Sequence, residues 1–185
     1  MLPTSNSRFP IRRITTLALF SAACIVGRIL FTWIPNVQPM TAILLLLAFY
    51  GSYTDALIVT LVSLLGTNLY LGMGSWTISQ LIAFSSIVTV FHFLSNCALI
   101  KHHISIQAII AFLCGLIYGL IVSRVEVFIY QLPSFWAYYF QGLFFDILHG
   151  TGNLIFYLVL VPVFKRILLP AINSSKNKLN SQMSI

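Results

Sequence analysis

The chain has 185 residues, of which 59% are hydrophobic and 7% are charged, ten of them basic and three acidic. A soluble domain carries about a quarter charged residues, so this composition excludes a soluble enzyme, a disordered chain and a disulfide scaffold. A net charge of +7 often indicates nucleic-acid binding. Here the positions of the basic residues are better explained by membrane topology, and we expect no nucleic-acid partner.

The first apolar segment, residues 14–33, predicts a membrane helix. About 20 helical residues cross a hydrocarbon core about 30 Å thick. Arg12 and Arg13 precede the segment, as in a signal peptide, but the apolar run is longer than that of a signal, so we expect a retained span. Ala18 and Ala22 are four residues apart, a spacing that lets another helix approach closely. That helix belongs either to this bundle or to a partner.

The next segment contains a loop followed by an interrupted apolar run. The sequence Pro-Asn-Val-Gln-Pro at residues 35–39 predicts a stiff loop, from which Asn36 and Gln38 reach over the membrane face. Residues 40–71 are apolar except for Gly-Ser-Tyr-Thr-Asp at 51–55. They predict either one long helix, for five spans in the chain, or two helices, for six. In the second case the first helix, residues 40–50, is short and must be tilted or shielded by its neighbours.

Three further apolar segments follow, at residues 76–99, 105–130 and 134–169. The last is too long for one upright span. Its glycines at 150 and 152 would bend it, or its first turns would lie on the membrane surface. Counting back from the basic residues at its end places the outer membrane edge near Asp146.

The distribution of basic residues selects six spans. Eight of the ten lie before the first span, between the fourth and fifth, or after the last: Arg8, Arg12, Arg13, Lys101, Lys165, Arg166, Lys176 and Lys178. Basic residues concentrate on the cytoplasmic side, and six spans with both ends inside place all eight there. We therefore predict an all-α bundle of six transmembrane helices over residues 14–169. A cytoplasmic segment at 1–13 precedes it, and a polar, flexible tail at 170–185 follows it.

Three charged residues fall in the outer halves of the predicted spans: Arg28, Arg124 and Glu126. Charges inside a bilayer are costly and normally face a partner or a wet cavity. Either an arginine pairs with Glu126, or one arginine remains available to a ligand.

Asp146, His149 and Asn153 are spaced i, i+3 and i+7, which places them on one face of the last helix. They either fix the helix through hydrogen bonds or line a polar cavity.

The segment from Asn68 to Gln80 is the most informative for function. Two glycines predict a turn at residues 72–75, Asn68 and Gln80 flank it with amides, and Tyr70 and Trp76 add aromatic surface. This pattern is typical of an interfacial anchor beside a turn or of a small-molecule site. Residues 35–39, 72–75 and 131–133 are all predicted on the outer face, which favours the second interpretation.

Signs of catalysis are lacking in the sequence. It has no Gly-Lys-Ser/Thr phosphate loop, no nucleophile–base set and no metal-ligand cluster. We therefore expect neither an enzyme nor an ATPase. Cys24, Cys97 and Cys114 lie in apolar runs and are predicted to be small buried hydrophobic residues.

These residues together resemble a known family, the substrate-binding S components of energy-coupling factor (ECF) vitamin transporters. The resemblance covers residues 14–169 and rests on the Ala18–Ala22 pair, the Pro-Asn-Val-Gln-Pro block at 35–39 and the Gly-x-Gly-x-Trp-Thr block at 72–77. The Phe145, Asp146, His149 and Asn153 pattern adds to it. The most similar branch is the cobalamin type, followed by the pantothenate type.

The resemblance implies a multi-pass subunit of the bacterial plasma membrane with no permanently bound cofactor. It implies capture of a vitamin from outside, and association with a transmembrane coupling subunit and two cytoplasmic ATPases that use ATP. Ala18 and Ala22 would contact the coupling subunit. The substrate-binding residues would be Arg28, Asn36, Gln38, Asn68, Tyr70, Trp76, Gln80, Arg124, Glu126, Asp146, His149 and Asn153.

Two other functions compete with this one. The first is an intramembrane enzyme that uses Asp146 and His149. The second is a small stand-alone carrier or an assembly protein. A requirement for a co-expressed ATPase module separates the importer subunit from the carrier.

Overall fold

The computed structural model describes residues 11–168, which form helices joined by short connections, with no β-strand in that range. The helices are α1 (Ile11–Leu30), α2 (Met40–Tyr50), α3 (Tyr53–Leu71), α4 (Trp76–Leu94), α5 (Ala98–His102), α6 (Ile104–Ile129) and α7 (Phe135–Val163), followed by a π-helical turn (Phe164–Leu168). Five of them, α1, α3, α4, α6 and α7, are long and apolar enough to cross a membrane. The chain therefore has the features of a multi-pass membrane protein, and the predicted all-α class is confirmed.

Residues 40–71 form two helices rather than one. The break consists of Gly51 and Ser52 alone, because Tyr53 already begins α3. Nine of the eleven residues of α2 are buried, since α1, α3, α4 and α7 surround it. Because neighbouring helices, and not lipid, cover the surface of α2, its length does not have to match the thickness of the bilayer.

Contacts between helix ends show which of them lie at the same end of the bundle. The Arg13 guanidinium donates to the Asp55 carboxylate, with 2.8 Å between Nε and Oδ1. The Tyr50 hydroxyl donates to Gln107 Oε1 at 2.7 Å, and Lys165 Nζ lies 5.0 Å from the centre of the Tyr50 ring. The start of α1 and the end of α7 therefore meet at one end of the bundle, called here the basic end. Residues 31–39, 72–75 and 130–134 connect helices at the opposite end, called here the cavity end.

Two boundaries differ from the prediction. Helix α4 ends at Leu94, and residues 98–102 form the separate short helix α5. Helix α7 runs unbroken through both of its glycines. Gly150 serves close packing: a Cβ on Gly115 of α6 would lie 2.5 Å from the Gly150 Cα, so the two backbones touch there. Most of the predicted N-terminal segment, residues 1–10, and the predicted tail at 170–185 lie outside the described residues.

The early end of α4 also corrects one cysteine prediction. Cys24 and Cys114 are buried, as expected of small hydrophobic residues, but Cys97 is exposed. Its position is three residues beyond the end of α4, in the connection to α5, so helix packing does not cover it.

Candidate functional site

A cavity of about 140 Å³ lies at the cavity end, beneath the connection between α1 and α2. Residues 31 and 32 and 34–38 contribute its outer wall. Four helices each send one polar side chain toward it: Arg28 from α1, Gln80 from α4, Tyr118 from α6 and His149 from α7. Side chains from distant parts of the sequence thus converge on one enclosed space.

Arg28 supplies the positive charge of this cavity. Its Nη1 donates to Thr67 Oγ1 at 2.9 Å. Among residues 11–168 the ion pair is Arg13–Asp55, so no carboxylate pairs with Arg28. The proposed pairing of an arginine with Glu126 is wrong: the Glu126 carboxylate accepts a hydrogen bond from Ser79 instead. Arg28 therefore remains available to a ligand, as the second hypothesis held.

The second predicted arginine takes no part in the cavity. Arg124 is exposed on α6, and it is not among the cavity-lining residues. Glu126 is buried beside Ser79 and does not line the cavity either.

His149 lies at the inner wall and is only 1% exposed. Its Nε2 is 2.9 Å from Thr41 Oγ1, whereas its Nδ1 is buried with no hydrogen-bond partner in the described chain. The ring meets that of Tyr118 edge to face, with centroids 4.7 Å apart. The hydrogen bond of His149 thus goes to Thr41 of α2 and not to Asp146. His149 therefore joins two helices, as the first hypothesis held, and also lines the cavity, as the second held.

Gln80 is oriented from behind by Asn68. The buried Asn68 Nδ2 donates to Gln80 Oε1 and to Thr77 Oγ1, both at 3.0 Å. The Gln80 carbonyl accepts from Asn68, and Gln80 also interacts with the Tyr118 hydroxyl, so one N–H of its NH₂ group remains to donate to a ligand. Asn68 therefore acts on the cavity through Gln80 rather than by lining it.

The cover of the cavity is anchored at both ends. Asn36 adopts a positive φ of 58° and its Nδ2 donates to the Phe145 carbonyl of α7 at 3.4 Å. Pro39 packs so closely on α1 that a Cβ on Gly27 would lie 2.5 Å from its Cγ. Asn36 and Gln38 both line the cavity, as predicted.

Three other predicted residues lie away from this cavity. Tyr70 is 72% exposed, and Trp76 is half-exposed over Gly74. For these two rings the interfacial-anchor interpretation fits better than a binding role. Asn153 is fully buried and donates to the Ala111 carbonyl at 3.3 Å, so it joins α7 to α6.

Asp146 lines a second cavity of about 240 Å³, between the cavity-end halves of α6 and α7. Tyr118 belongs to both cavities and separates them. The Asp146 carboxyl occupies the space where a side chain on Gly119 would stand. Asp146 and His149 therefore share a face of α7 but serve different cavities.

Three residues around the main cavity were not predicted from the sequence: Tyr118, which lines it, and Thr41 and Thr67, which hold His149 and Arg28. Tyr118 lies in α6, which is apolar on all sides, so no amphipathic pattern in the sequence identifies it as a cavity-lining residue. Thr41 and Thr67 are buried in their helices, and their partners are 108 and 39 residues away.

The alanine pair lies on the outside of the bundle. Ala18 and Ala22 are both exposed on α1, so the alternative that they pack inside this bundle is wrong. Small side chains on an exposed helix face leave room for another helix to approach.

No known family, curated protein or solved structure matches this chain. The side chains around the cavity are suited to binding: they include one guanidinium, three amides, one imidazole and one phenol ring. In the described range, no three His, Cys, Asp or Glu side chains are grouped to hold a metal ion.

Proposed function

We propose that the protein is the membrane-embedded substrate-binding subunit of an ECF-type importer, and that it captures a water-soluble vitamin. The observation that carries this proposal is the partly open cavity at one end of the bundle, with an arginine that no carboxylate neutralises among the described residues. A concave site with a few convergent polar groups is typical of small-molecule binding.

The proposed orientation places the basic end in the cytoplasm and the cavity end outside. Arg13, Lys101 and Lys165 belong to helix ends at the basic end. Basic residues concentrate on the cytoplasmic side of membrane proteins. The cavity then opens toward the side from which a nutrient arrives.

Capture follows from the side chains in the cavity. Arg28 attracts an anionic group of the vitamin, the Gln80 NH₂ donates to a carbonyl or hydroxyl oxygen, and the Tyr118 ring contacts an apolar part. Residues 31–38 cover the bound vitamin, which is a substrate and not a resident cofactor. Release inside requires a transmembrane coupling subunit, docked on the Ala18–Ala22 face, and two ATPase subunits that hydrolyse ATP.

Two vitamins are the leading candidates, with another small vitamin as the remaining alternative. The sequence resemblance favours cobalamin, which would have to displace the cover formed by residues 31–38 because the enclosed space is about 140 Å³. Sites for drug-sized ligands measure about 300–1,000 Å³. Pantothenate is the second candidate, since a small anion fits both this volume and the available Arg28 guanidinium.

Ligand identification tests the proposal. The full chain is purified with its coupling module and examined by mass spectrometry for a co-purified small molecule. Cyanocobalamin and pantothenate are then titrated separately by calorimetry. We expect saturable binding of one of them, and uptake in cells only when the ATPase module is co-expressed. Binding of neither vitamin contradicts the proposal, and uptake without the module identifies a stand-alone carrier.

A further inference from the structure

The second cavity, between α6 and α7, contains a carboxylate that nothing in the described chain neutralises. Asp146 is 6% exposed, and its Oδ2 is buried without a hydrogen-bond partner in that range. The described ion pair, Arg13–Asp55, is at the opposite end of the bundle. A buried carboxylate without a counter-ion is costly, so this position favours the arrival of a positive charge.

The surroundings of Asp146 determine which kind of cation fits. Three aromatic rings, those of Tyr118, Tyr138 and Phe145, line the same cavity together with the Ser123 hydroxyl. Aromatic rings attract organic ammonium ions through their negative faces and cover the methyl groups of those ions at the same time. A metal ion would instead require several oxygen ligands, and the described residues offer no group of three acidic, His or Cys side chains.

The backbone makes room for this arrangement. Gly119 has no side chain, and the Asp146 carboxyl takes the place that a Cβ there would occupy. Gly142, also in the lining, has no atom within 4 Å of a built Cβ, so the space on the α7 side is open. The volume of about 240 Å³ accommodates a small quaternary ammonium ion.

We propose that the cleft between α6 and α7 binds an organic ammonium group, with Asp146 as its counter-ion and Tyr118, Tyr138 and Phe145 around its alkyl substituents. This site shares the Tyr118 ring with the proposed vitamin cavity, but its carboxylate and its other two rings lie outside that cavity, so the proposal does not require that a vitamin binds. The ammonium group belongs either to a soluble cation or to a lipid headgroup such as that of phosphatidylcholine.

Choline and its neutral carbon isostere, 3,3-dimethylbutan-1-ol, form the matched pair of probes. The full chain is placed in phosphatidylglycerol nanodiscs, whose lipid has no ammonium group, and each probe is titrated by calorimetry. We expect choline to bind at least about tenfold more tightly than the isostere, because the Asp146 carboxylate and the aromatic rings attract the charged ammonium group and not its neutral counterpart. Equal affinities, or no binding of choline, would overturn the proposal.

Variants locate the site. Asp146→Asn is expected to weaken choline binding at least about tenfold, whereas Asp55→Asn, at the other end of the bundle, leaves it unchanged. Should Asp146→Asn fail to fold, Tyr138→Leu removes one ring of the cleft and keeps the carboxylate. It is expected to weaken choline binding several-fold and leave the isostere unaffected. Full choline affinity in Tyr138→Leu and in any folded Asp146→Asn protein would place the choline elsewhere and refute the site.

One further experiment distinguishes a lipid headgroup from a soluble cation, and another distinguishes this cleft from the proposed vitamin cavity. In phosphatidylcholine nanodiscs, loss of choline binding identifies the lipid headgroup as the occupant, and retained binding identifies a soluble cation. Arg28→Gln is expected to keep full choline affinity because Arg28 lines only the other cavity. Choline binding without any vitamin binding would therefore overturn the proposed function alone.

Discussion

At the scale of single residues, Arg28 is the most consequential side chain of the cavity. It lies in the cavity-end half of α1, contacts Thr67, and has no carboxylate partner among residues 11–168. Holding a charge inside a membrane protein costs several kcal/mol unless water, a partner or a ligand compensates it. Retaining Arg28 beside an enclosed cavity is therefore consistent with recognition of an anionic group.

Arg28→Gln is expected to lower the affinity for the bound vitamin by about tenfold to a hundredfold, since hydrogen bonds to charged groups contribute about 1.5–3 kcal/mol. The measurement is a calorimetric titration with cyanocobalamin and with pantothenate. Arg124→Gln is the matched control, because Arg124 lies in the same half of the bundle but is exposed on α6. Equal effects of the two substitutions would show that charge near the cavity end, and not contact, attracts the ligand.

Asn68→Ala is expected to destabilise the bundle by about 1–3 kcal/mol, because it leaves the buried hydroxyl of Thr77 and the part-buried oxygen of Gln80 without their donor. It is also expected to weaken vitamin binding, since Gln80 would lose its fixed orientation. Thermal unfolding in detergent measures the first effect and titration the second. Asn96→Ala, at an exposed position, is the control. An unchanged melting temperature for Asn68→Ala would show that water replaces the lost donor.

At the scale of helices, α1 differs from the others because one of its faces is uncovered. Only 17% of the residues in its apolar stretch, Arg13–Leu30, are buried, against 39% in the apolar stretch of each of the other four long helices. Its exposed side combines Ala18 and Ala22 with the larger Leu19 and Val26. In lipid, helices associate through close backbone approach at small residues, which makes this face the favoured place for a transmembrane partner.

Ala18→Trp is expected to prevent co-purification with the proposed coupling subunit and to leave vitamin affinity unchanged, because a bulky side chain on the exposed face of α1 keeps another helix from approaching closely. Ile109→Trp, on the exposed side of α6, adds the same bulk elsewhere and is expected to have no effect. Pull-down of the tagged chain checks both variants. A normal yield of complex from Ala18→Trp would contradict the proposed docking face.

The crossing of α6 and α7 depends on two glycines. A Cβ on Gly115 would lie 2.5 Å from both the N and Cα atoms of Gly150, and backbone atoms cannot move aside as a flexible side chain does. The contact lies on the basic-end side of the second cavity, which Asp146 and Tyr138 line between the cavity-end halves of the same two helices.

Gly115→Ala is expected to destabilise the bundle by about 1–3 kcal/mol through overpacking. Gly142→Ala is expected to be neutral or slightly stabilising, because no atom lies within 4 Å of its Cβ and alanine favours a helix over glycine by about 1 kcal/mol. Melting temperatures in detergent compare the two variants. A Gly115→Ala protein as stable as the parent would show that α6 and α7 can separate at little cost.

At the scale of the whole molecule, the two ends of the bundle differ in chemistry. The basic end has the Arg13–Asp55 pair and the Lys165–Tyr50 contact. The cavity end exposes Trp33 and Trp136, and exposed tryptophans near helix ends are typical of a membrane interface. This polarity underlies the proposed orientation.

A native cysteine tests that orientation. Cys97 is exposed at the basic end, whereas Cys24 and Cys114 are buried. A membrane-impermeant maleimide is therefore expected to label the unmodified chain in inverted vesicles and not in intact cells. Met73→Cys in a Cys97→Ser background, at an exposed position of the cavity end, is expected to show the opposite pattern. Labelling of Cys97 from outside would invert the topology and contradict the importer proposal.

Much of the helical layout was predictable from the sequence. The break near residue 51, the short buried helix and the three connections at the cavity end were all expected, since apolar length and glycine positions are local properties of the chain. The candidate site was predictable in part. Asn36, Gln38, Gln80 and His149 line the main cavity as expected, whereas Tyr70 and Trp76 point to the surface.

The sequence by itself determined the membrane class of this protein and the positions of its apolar helices, because hydrophobic length and sparse charge require no knowledge of neighbours. Only the tertiary structure decided that Arg28 lacks Glu126 as a partner, that Tyr118 divides two cavities, and that Asp146 and His149 serve different ones. The physical reason is that these helices are apolar on nearly every side. No periodic pattern then tells which face meets lipid, another helix or a cavity, and helix packing alone makes that assignment.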